Sequence, residues 1–259
     1  MSEIASPMGL LWLLAAGVLG LASALQSAVG FGFALLAVPV ISCLGFPLPQ
    51  VIAMTLSAMC VQSVLSLAHH REAWKPGPLV KPLLIAFAGL AVGLTLLRGL
   101  EAMDPKAVRA LVGALLLGLL GLQWLRPTRP RSRVHPAWTG VALTSTGLLG
   151  GLAGMPGPPL VLWAYAHNWS QVRIRTTLWT VFLGLNAIQL PVMAVVFGMP
   201  ALSGIGFGLL TSPLVYLGAR LGMALTRVAS RRALANLASI LLGLIGLSAV
   251  LTFLFDRLT

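Results

Sequence analysis

The chain has 259 residues, of which 58% are hydrophobic and only 8% are charged. Soluble domains carry about 25% charged residues, so this composition excludes an ordinary soluble protein and indicates an integral membrane protein. The net charge of +12 would suggest nucleic-acid binding in a soluble chain. Here the basic residues lie in short connections between apolar segments, where they act as topology signals, so we expect the lipid bilayer and no nucleic acid as a partner.

Two apolar segments are each too long for one membrane helix, and each contains a glycine-rich break. The first, residues 8–44, is interrupted at residues 30–32, and the second, residues 138–166, is interrupted within residues 150–159. The arm after each break is too short to cross about 30 Å of hydrocarbon alone. Bare backbone is costly in hydrocarbon, so each break must be buried in protein or line an aqueous cavity.

Six other apolar runs are long enough to cross the membrane, which takes about 20 residues. In chain order they are residues 51–68, 79–97, 107–125, 176–197, 202–221 and 233–255. Gln50 and Thr55 recur as Gln171 and Thr176, an offset of 121 residues that also carries Gly30 onto Gly151. This recurrence predicts a tandem repeat.

The sequence therefore predicts an all-α integral membrane protein of two inverted repeats. Each repeat is a broken or re-entrant helical hairpin plus three transmembrane helices. The first repeat covers residues 1–125, an Arg/Pro-rich cytoplasmic linker covers residues 126–137, and the second repeat covers residues 138–259. Together they form one membrane domain.

The basic residues determine the predicted orientation. If both broken segments crossed the membrane, these residues would divide eight to nine between the two sides, whereas re-entrant hairpins divide them thirteen to four. The thirteen-to-four division is the asymmetry typical of membrane proteins. The smaller group is Arg98, Lys106, Arg109 and Arg257. No basic residue before Arg71 tests the first hairpin, so that segment either re-enters or spans.

Paired breaks in two halves are a pointer to a transporter's substrate site. The second arms begin at Gly32 and Gly157, and we expect both helix N-termini to offer backbone N–H groups to one anion at the membrane midplane. Polar side chains within the spans would complete the site or bond a neighbouring helix. The predicted substrate-binding residues are Gln26, Gly30, Phe31, Gly32, Thr55, Gln62, Gly154, Gly157, Thr176, Asn186 and Gln189.

Four further residues are predicted to gate the site or attract anions. Arg173 and Arg175 stand at the mouth of a span, where they would draw anions in or anchor topology. Trp163 and Trp179 would wall the cavity or pack in the core. The four histidines, His69, His70, His135 and His167, lie toward the basic side, and we interpret them as solvated loop residues or as proton sensors.

No Asp or Glu lies within a predicted span, although proton relays in transporters usually use such groups. Coupling through a buried carboxylate is therefore disfavoured, while a proton carried with the anion, sodium, exchange and facilitated diffusion stay open. No metal-binding motif and no nucleophile paired with a base is evident, so we expect no enzyme activity, metal or cofactor. Transport direction and homo-oligomer formation are left open.

The two glycine-rich stretches, GFGFALLAVP at residues 30–39 and GLLGGLAGMPGPPL at residues 147–160, resemble those of the TauE/SafE sulfite exporters, also called the 4-toluene sulfonate uptake permease family. The likeness covers essentially the whole chain. It implies secondary transport of small sulfur-containing anions, sulfite or organosulfonates, across a bacterial cytoplasmic (inner) membrane. Another small organic anion, such as a carboxylate, is the alternative, because two helix N-termini would accept either.

Overall fold

The computed structural model describes residues 7–74, 79–100, 102–125, 131 and 134–228, with scattered positions between 236 and 253. These residues are almost entirely helical, and the one β contact among them is an isolated bridge between Arg131 and His167. A short 3-10 turn, Arg71–Ala73, follows the third helix. The helices with defined bounds are α1 (Pro7–Val29), α2 (Phe33–Cys43), α3 (Leu48–His69), α4 (Val80–Leu100), α5 (Pro105–Leu125), α6 (Pro136–Ala153), α7 (Gly157–Tyr165), α8 (Gln171–Phe197), α9 (Met199–Leu210) and α10 (Ser212–Val228).

Four helices, α1, α3, α4 and α8, are long and apolar enough to cross a membrane, and the bent pair α9 and α10 makes a fifth candidate in the described part of the chain. This agrees with the predicted all-α membrane protein. The predicted spans 51–68, 79–97, 107–125 and 176–197 correspond to α3, α4, α5 and α8. The predicted span 233–255 is described only at scattered positions, and the linker 126–137 lies largely outside the described residues.

The first break follows from two glycines in the left-handed region. Gly30 has a φ of 103° and Gly32 a φ of 109°, conformations that side-chain-bearing residues rarely adopt. The chain therefore leaves α1 at Val29 and re-enters a helix at Phe33. The break lies where it was predicted.

The second break comes later than the sequence offset of 121 residues places it. Gly150 and Gly151 are still helical, and α6 ends only before Gly154, which has a φ of 67°. The physical reason is that Gly151 serves a helix contact: a Cβ added there would lie 2.6 Å from the carbonyl oxygen of Leu90 in α4. Gly151 is therefore part of the packed face of α6, and the helix continues past it.

Each broken segment folds back on itself, so that its two ends lie close together. Near the end of α7, Trp163 donates its indole N–H to the hydroxyl of Thr139 in the first turns of α6, over 3.2 Å. In the first half, the ring of Trp12 in α1 lies 4.9 Å from the ring of Phe46, which follows α2. Both broken segments are therefore helical hairpins.

Two helix crossings bring backbones into direct contact. Between α4 and α6, a Cβ added at Gly89 would meet the carbonyl oxygen of Thr144, and one added at Gly147 would meet that of Ala86. Between α1 and α10, a Cβ added at Gly218 would meet the carbonyl oxygen of Gly20. Small residues allow this close packing, which holds membrane helices together where the hydrophobic effect cannot.

The predicted span at residues 202–221 corresponds to α9 and α10, between which the chain bends by 54°. Pro213 has no N–H to donate to the carbonyl oxygen of Leu209, and its ring crowds the preceding turn. The hydroxyl of Ser212 donates to that carbonyl oxygen instead. The bend therefore leaves this acceptor satisfied.

Helices α3 and α8 form the centre of the bundle and run antiparallel. Asn186 of α8 donates its amide to the carbonyl oxygen of Leu56 in α3, over 3.4 Å. The last turns of α3 meet the first turns of α8 around a cavity lined by His69 and Arg175. The first break lies near the last turns of α3, and the second lies near its first turns.

Candidate functional site

A cavity of about 310 Å³ lies where α3 ends and α8 begins. The break after α1, the last turns of α3, the first turns of α8 and one face of α10 form its walls. We call it the basic cavity, and it is lined by Gln26, Ser27, Gly30, Leu65, Ser66, His69, His70, Arg175, Trp179, Tyr216, Ala219, Arg220 and Met223.

Gln26 brings a buried hydrogen-bond donor to the wall of the basic cavity. Its side chain is only 1% exposed, and its Oε1 accepts from the backbone N–H of Phe33, the first residue of α2, over 3.2 Å. This bond fixes the orientation of the amide, because a flipped amide would place a donor against a donor. The Nε2 group has no hydrogen-bond partner among the described residues. An unpaired buried donor costs about 1 to 3 kcal/mol.

Gln62 holds the hairpin in place through its amide nitrogen. Its Nε2 donates to the carbonyl oxygen of Ser23 over 3.0 Å and to the hydroxyl of Ser27 over 2.8 Å. These bonds tie α3 to α1 just before the first break. Gln62 therefore positions the wall that carries Gln26.

Basic side chains from three elements converge on the basic cavity. His69 and His70 come from the end of α3, Arg175 comes from α8 and Arg220 comes from α10, and no Asp or Glu is among the described residues of the lining. The guanidinium of Arg220 donates to the hydroxyl of Tyr216 over 3.4 Å. Positive charges gathered in a cleft attract anions.

His70 stays neutral more readily than an ordinary histidine. Burial lowers its pKa below 6.5, and the nearby His69 and Arg175 lower it further. A second positive charge beside His69 and Arg175 is unfavourable.

A second cavity, of about 520 Å³, lies at the same end of the bundle and has aromatic walls that include Trp74, Trp163 and Trp169. Arg173 lies over the ring of Trp169 at 4.4 Å, and the ring of His167 stacks on the same indole at 4.1 Å. The predicted residues Trp163, Arg173 and Thr176 all line this aromatic cavity and not the basic one.

Burial also lowers the pKa of His167. A hydrogen bond to the carbonyl oxygen of Trp163 opposes this shift and raises the pKa, while Arg173 lowers it. Since the pKa of the folded state lies below the ordinary value of 6.5, the neutral form is the one that stabilises the fold. This contribution is present above pH 6.5 and is lost as the pH falls through the lowered pKa.

The structure brings together four of the predicted site residues: Gln26, Gly30, Arg175 and Trp179 line the basic cavity. Phe31 and Gly32 lie in the adjoining break. Other predicted ligands already have partners in or between helices. Thr55 bonds the carbonyl oxygen of Val51, Thr176 bonds those of Val172 and Arg173, Asn186 bonds that of Leu56, and Gln189 bonds that of Gly150 over 2.9 Å.

The two breaks do not line one site in this structure. Gly30 lines the basic cavity with Leu65, whereas a Cβ added at Gly154 would lie 3.1 Å from Ile52. Ile52 and Leu65 are both in α3, and their offset of 13 positions corresponds to about 20 Å at 1.5 Å per residue. Gly30 and Gly154 therefore lie beside different turns of α3.

Sequence reasoning missed Tyr216 and Arg220 as site residues, and interpreted His69 and His70 as solvated loop residues or as proton sensors. Tyr216, Ala219, Arg220 and Met223 all face the basic cavity from α10. Their spacing of three and four residues places them on one helix face, which is a signal that the sequence does contain. The pairing of that face with α1 is not visible before folding.

Comparison with known proteins gives one match. The family model described as sulfite exporter TauE/SafE matches residues 13–249. No curated protein and no solved structure matches the chain significantly.

Proposed function

Because the chain belongs to the TauE/SafE sulfite exporter family, we propose that it carries small sulfur-containing anions, sulfite or organosulfonates, across the bacterial cytoplasmic membrane. The basic cavity is the binding site in this proposal. The observation that carries it is the unpartnered donor of Gln26 in a wall shared with Arg175 and Arg220.

The donors of the basic cavity suit an oxyanion with several oxygens. Gln26 offers an amide N–H on one side, and Arg175 and Arg220 offer guanidinium groups from two other helices. Because Nε2 of Gln26 is shielded from bulk water, a hydrogen bond made there is stronger than one made at the surface. Trp179 and Tyr216 would cover the organic part of a sulfonate.

We further propose that the two halves are inverted repeats. In support, α4 of the first half packs on α6, the first helix of the second half, and α10 of the second half packs on α1, the first helix of the first half. If the two halves are exchanged, the contact of α4 with α6 becomes the contact of α10 with α1. A two-fold axis between the halves would relate the two contacts in this way. The central pair of α3 and α8 lies where such an axis would pass.

The orientation follows from the charges at the two ends of the bundle. Arg173, Arg175 and Arg220 lie at the end that holds the basic and aromatic cavities. Arg109 lines a cavity at the other end, with Phe46 and Leu48. The more basic end is cytoplasmic by the positive-inside rule, so both hairpins re-enter in this proposal, the second from the cytoplasmic side.

Single cysteines introduced at Ala137 and Asn168, on a background without Cys43 and Cys60, should be labelled from the same cytoplasmic side by a membrane-impermeant reagent. Both positions are exposed; Ala137 lies in the first turn of α6, and Asn168 follows α7. A cysteine at Asp104, beyond the opposite end of α4, should be labelled only from the other side. Labelling of Ala137 and Asn168 variants from opposite faces would contradict the inverted repeat.

The basic cavity and the second break suggest one state of a transport cycle. Gly30 lies at an open cavity, whereas the side chain of Ile52 packs against Gly154. In transporters of inverted repeats, the halves exchange such conformations to open the site to each side in turn. The proposed cycle therefore opens the second break when the first one closes.

A thermal-shift screen tests the proposed function. The purified protein is heated with sulfite, methanesulfonate, thiosulfate and small carboxylates, because a ligand that binds only the folded state must stabilise it, by about 2.7 kcal/mol at one hundred times the Kd. We expect sulfite or the sulfonate to raise the melting temperature. Stabilisation by carboxylates alone would favour the alternative, an organic-anion transporter, and no stabilisation by any anion would overturn the proposal.

A further inference from the structure

We propose that the cavity at the opposite end of the bundle is a second binding site for the transported anion, and that it selects organosulfonates with an apolar body over sulfite. This inference rests on the proposed function and narrows its substrate class. The cavity has a volume of about 270 Å³ and lies where α2 and α4 end and α3 and α5 begin. We call it the outer cavity, and its lining includes Ser42, Phe46, Leu48, Leu97, Met103 and Arg109.

Ser42 brings an unpartnered hydroxyl to the wall of the outer cavity. It lies in the last turn of α2 and is only 5% exposed, and its Oγ has no hydrogen-bond partner in the part of the chain that the structure describes. Other buried hydroxyls on helices, those of Ser57, Ser63 and Thr146, each donate to a carbonyl oxygen of their own helix over 2.8 Å. The hydroxyl of Ser42 is therefore a donor that a ligand can use.

Two features give the outer cavity a preference for negative charge. Arg109, half-buried in the second turn of α5, lines it. The first turn of α3 lies in the wall through Leu48, and N–H groups in the first turn of a helix have no partner within that helix and carry partial positive charge. Asp104, the acidic residue nearest to Arg109 in sequence, is exposed and lies outside the lining. The outer cavity therefore suits one anionic group.

The carbonyl oxygens at the ends of α2 and α4 would repel an anion, but those of two lining residues already accept hydrogen bonds. The carbonyl oxygen of Ser42 accepts from the N–H of Gly45 over 3.2 Å, and that of Leu100 accepts from the N–H of Met103 over 3.0 Å. Such bonds satisfy the free acceptors at a helix end. The two helix ends therefore oppose an anion less than uncapped ends would.

The rest of the wall is apolar and determines which kind of anion fits. Phe46, Leu48, Leu97 and Val112 contribute aromatic and aliphatic side chains. Sulfite would leave these side chains in contact with water, whereas the hydrocarbon part of an organosulfonate would cover them. Mostly apolar walls with a few polar groups are typical of sites for small organic molecules. Each methylene buried there should raise the affinity by up to about fourfold.

Helix α2 joins the outer cavity to the basic cavity. Its first residue, Phe33, donates its N–H to Gln26 in the wall of the basic cavity, and Ser42 in its last turn lines the outer cavity. The offset of nine positions from Phe33 to Ser42 corresponds to about 14 Å at 1.5 Å per residue. An anion that moves along the first hairpin therefore meets a binding site at each end of α2.

Protection of a single cysteine tests this inference on the purified full chain. Met103 lines the outer cavity and is 46% exposed, so Met103→Cys, on a background without Cys43 and Cys60, should react with a thiol reagent. We expect sodium butanesulfonate to slow this reaction in a saturable way, and sodium sulfite and 1-butanol at the same concentration to have little effect. Asp104→Cys is the matched control, since Asp104 is exposed nearby but outside the lining. Its labelling rate should not change.

Further substitutions on the Met103→Cys background identify the contacts. Arg109→Gln should raise the butanesulfonate concentration for half-protection by about tenfold to a hundredfold, and Ser42→Ala by about twofold to tenfold. Ser42→Ala should leave the melting temperature without ligand unchanged, because the hydroxyl bonds no group among the described residues. Gln26→Glu, in the basic cavity, should leave half-protection unchanged.

The outcomes separate this inference from the proposed function. If methanesulfonate or sulfite stabilises the parent but butanesulfonate does not protect Met103→Cys, the outer site is wrong while the proposed function stands. Equal protection by sulfite or by 1-butanol would overturn the selection of an organic anion. Protection that is lost in the Gln26→Glu variant would report binding in the basic cavity and would also overturn the outer site. If no anion stabilises the parent and none protects the cysteine, both proposals fail.

Discussion

Replacing Gln26 by glutamate should lower the affinity of the basic cavity for methanesulfonate or sulfite by about tenfold to a hundredfold. One carboxylate oxygen can still accept from the N–H of Phe33, so the start of α2 keeps its cap. The other oxygen replaces the donor by an acceptor and adds a negative charge. Hydrogen bonds to charged groups contribute about 1.5 to 3 kcal/mol, and each 1.4 kcal/mol is a factor of about ten in Kd.

The measurement is the Kd by titration calorimetry, with Gln50→Glu as the control. Gln50 donates to the hydroxyl of Ser203 in an exposed position, over 3.0 Å, and does not line the basic cavity. That variant should bind with parental affinity. If the Gln26 variant folds and keeps the parental Kd, the donor of Gln26 is not part of the site.

Replacing Gly147 by alanine should be strongly destabilising. The added Cβ would meet the carbonyl oxygen of Ala86, and neither backbone can move without separating α4 from α6 along their crossing. Overpacking of this kind typically costs about 1 to 3 kcal/mol. We expect a clear fall in the melting temperature of the detergent-solubilised protein and a lower yield of monodisperse material.

Gly118→Ala in α5 is the matched substitution without a contact, since a Cβ added there has nothing within 4 Å. It should leave the melting temperature unchanged or raise it, because alanine is better than glycine in a helix by about 1 kcal/mol. Equal melting temperatures for the Gly147 variant and the parent would mean that α4 and α6 are not in backbone contact.

Much of the helix order was predictable from the sequence, because membrane spans are set by length and composition. The runs that predicted α3, α4, α5 and α8 need only about 20 apolar residues in a row. The first break was predictable too, because Gly30 and Gly32 occur close together within an apolar run. In the structure both glycines have a positive φ, which favours glycine. Pro213 is also a local signal for the bend before α10. The run at residues 202–221 was identified by its apolar length alone, so this signal was not used.

The candidate site was predictable only in part. Gln26 and Gly30 stood out because they border a break, and Arg175 because it stands at the mouth of a span. Thr55 and Thr176 looked equally suitable, yet their hydroxyls bond carbonyl oxygens of their own helices. A polar residue in a span satisfies itself this way without a sequence signal that distinguishes it from a ligand.

By itself, the sequence determined that this is a membrane protein with two broken hairpins, because apolar length and glycine conformation act locally. Only the tertiary structure decided that the breaks lie about 20 Å apart along α3, and that His69, Arg175 and Arg220 meet at one of them. That outcome depends on which helix faces touch. Gly147 lies against a backbone and Gly118 has open space around it, and in the sequence both are glycines in apolar helices.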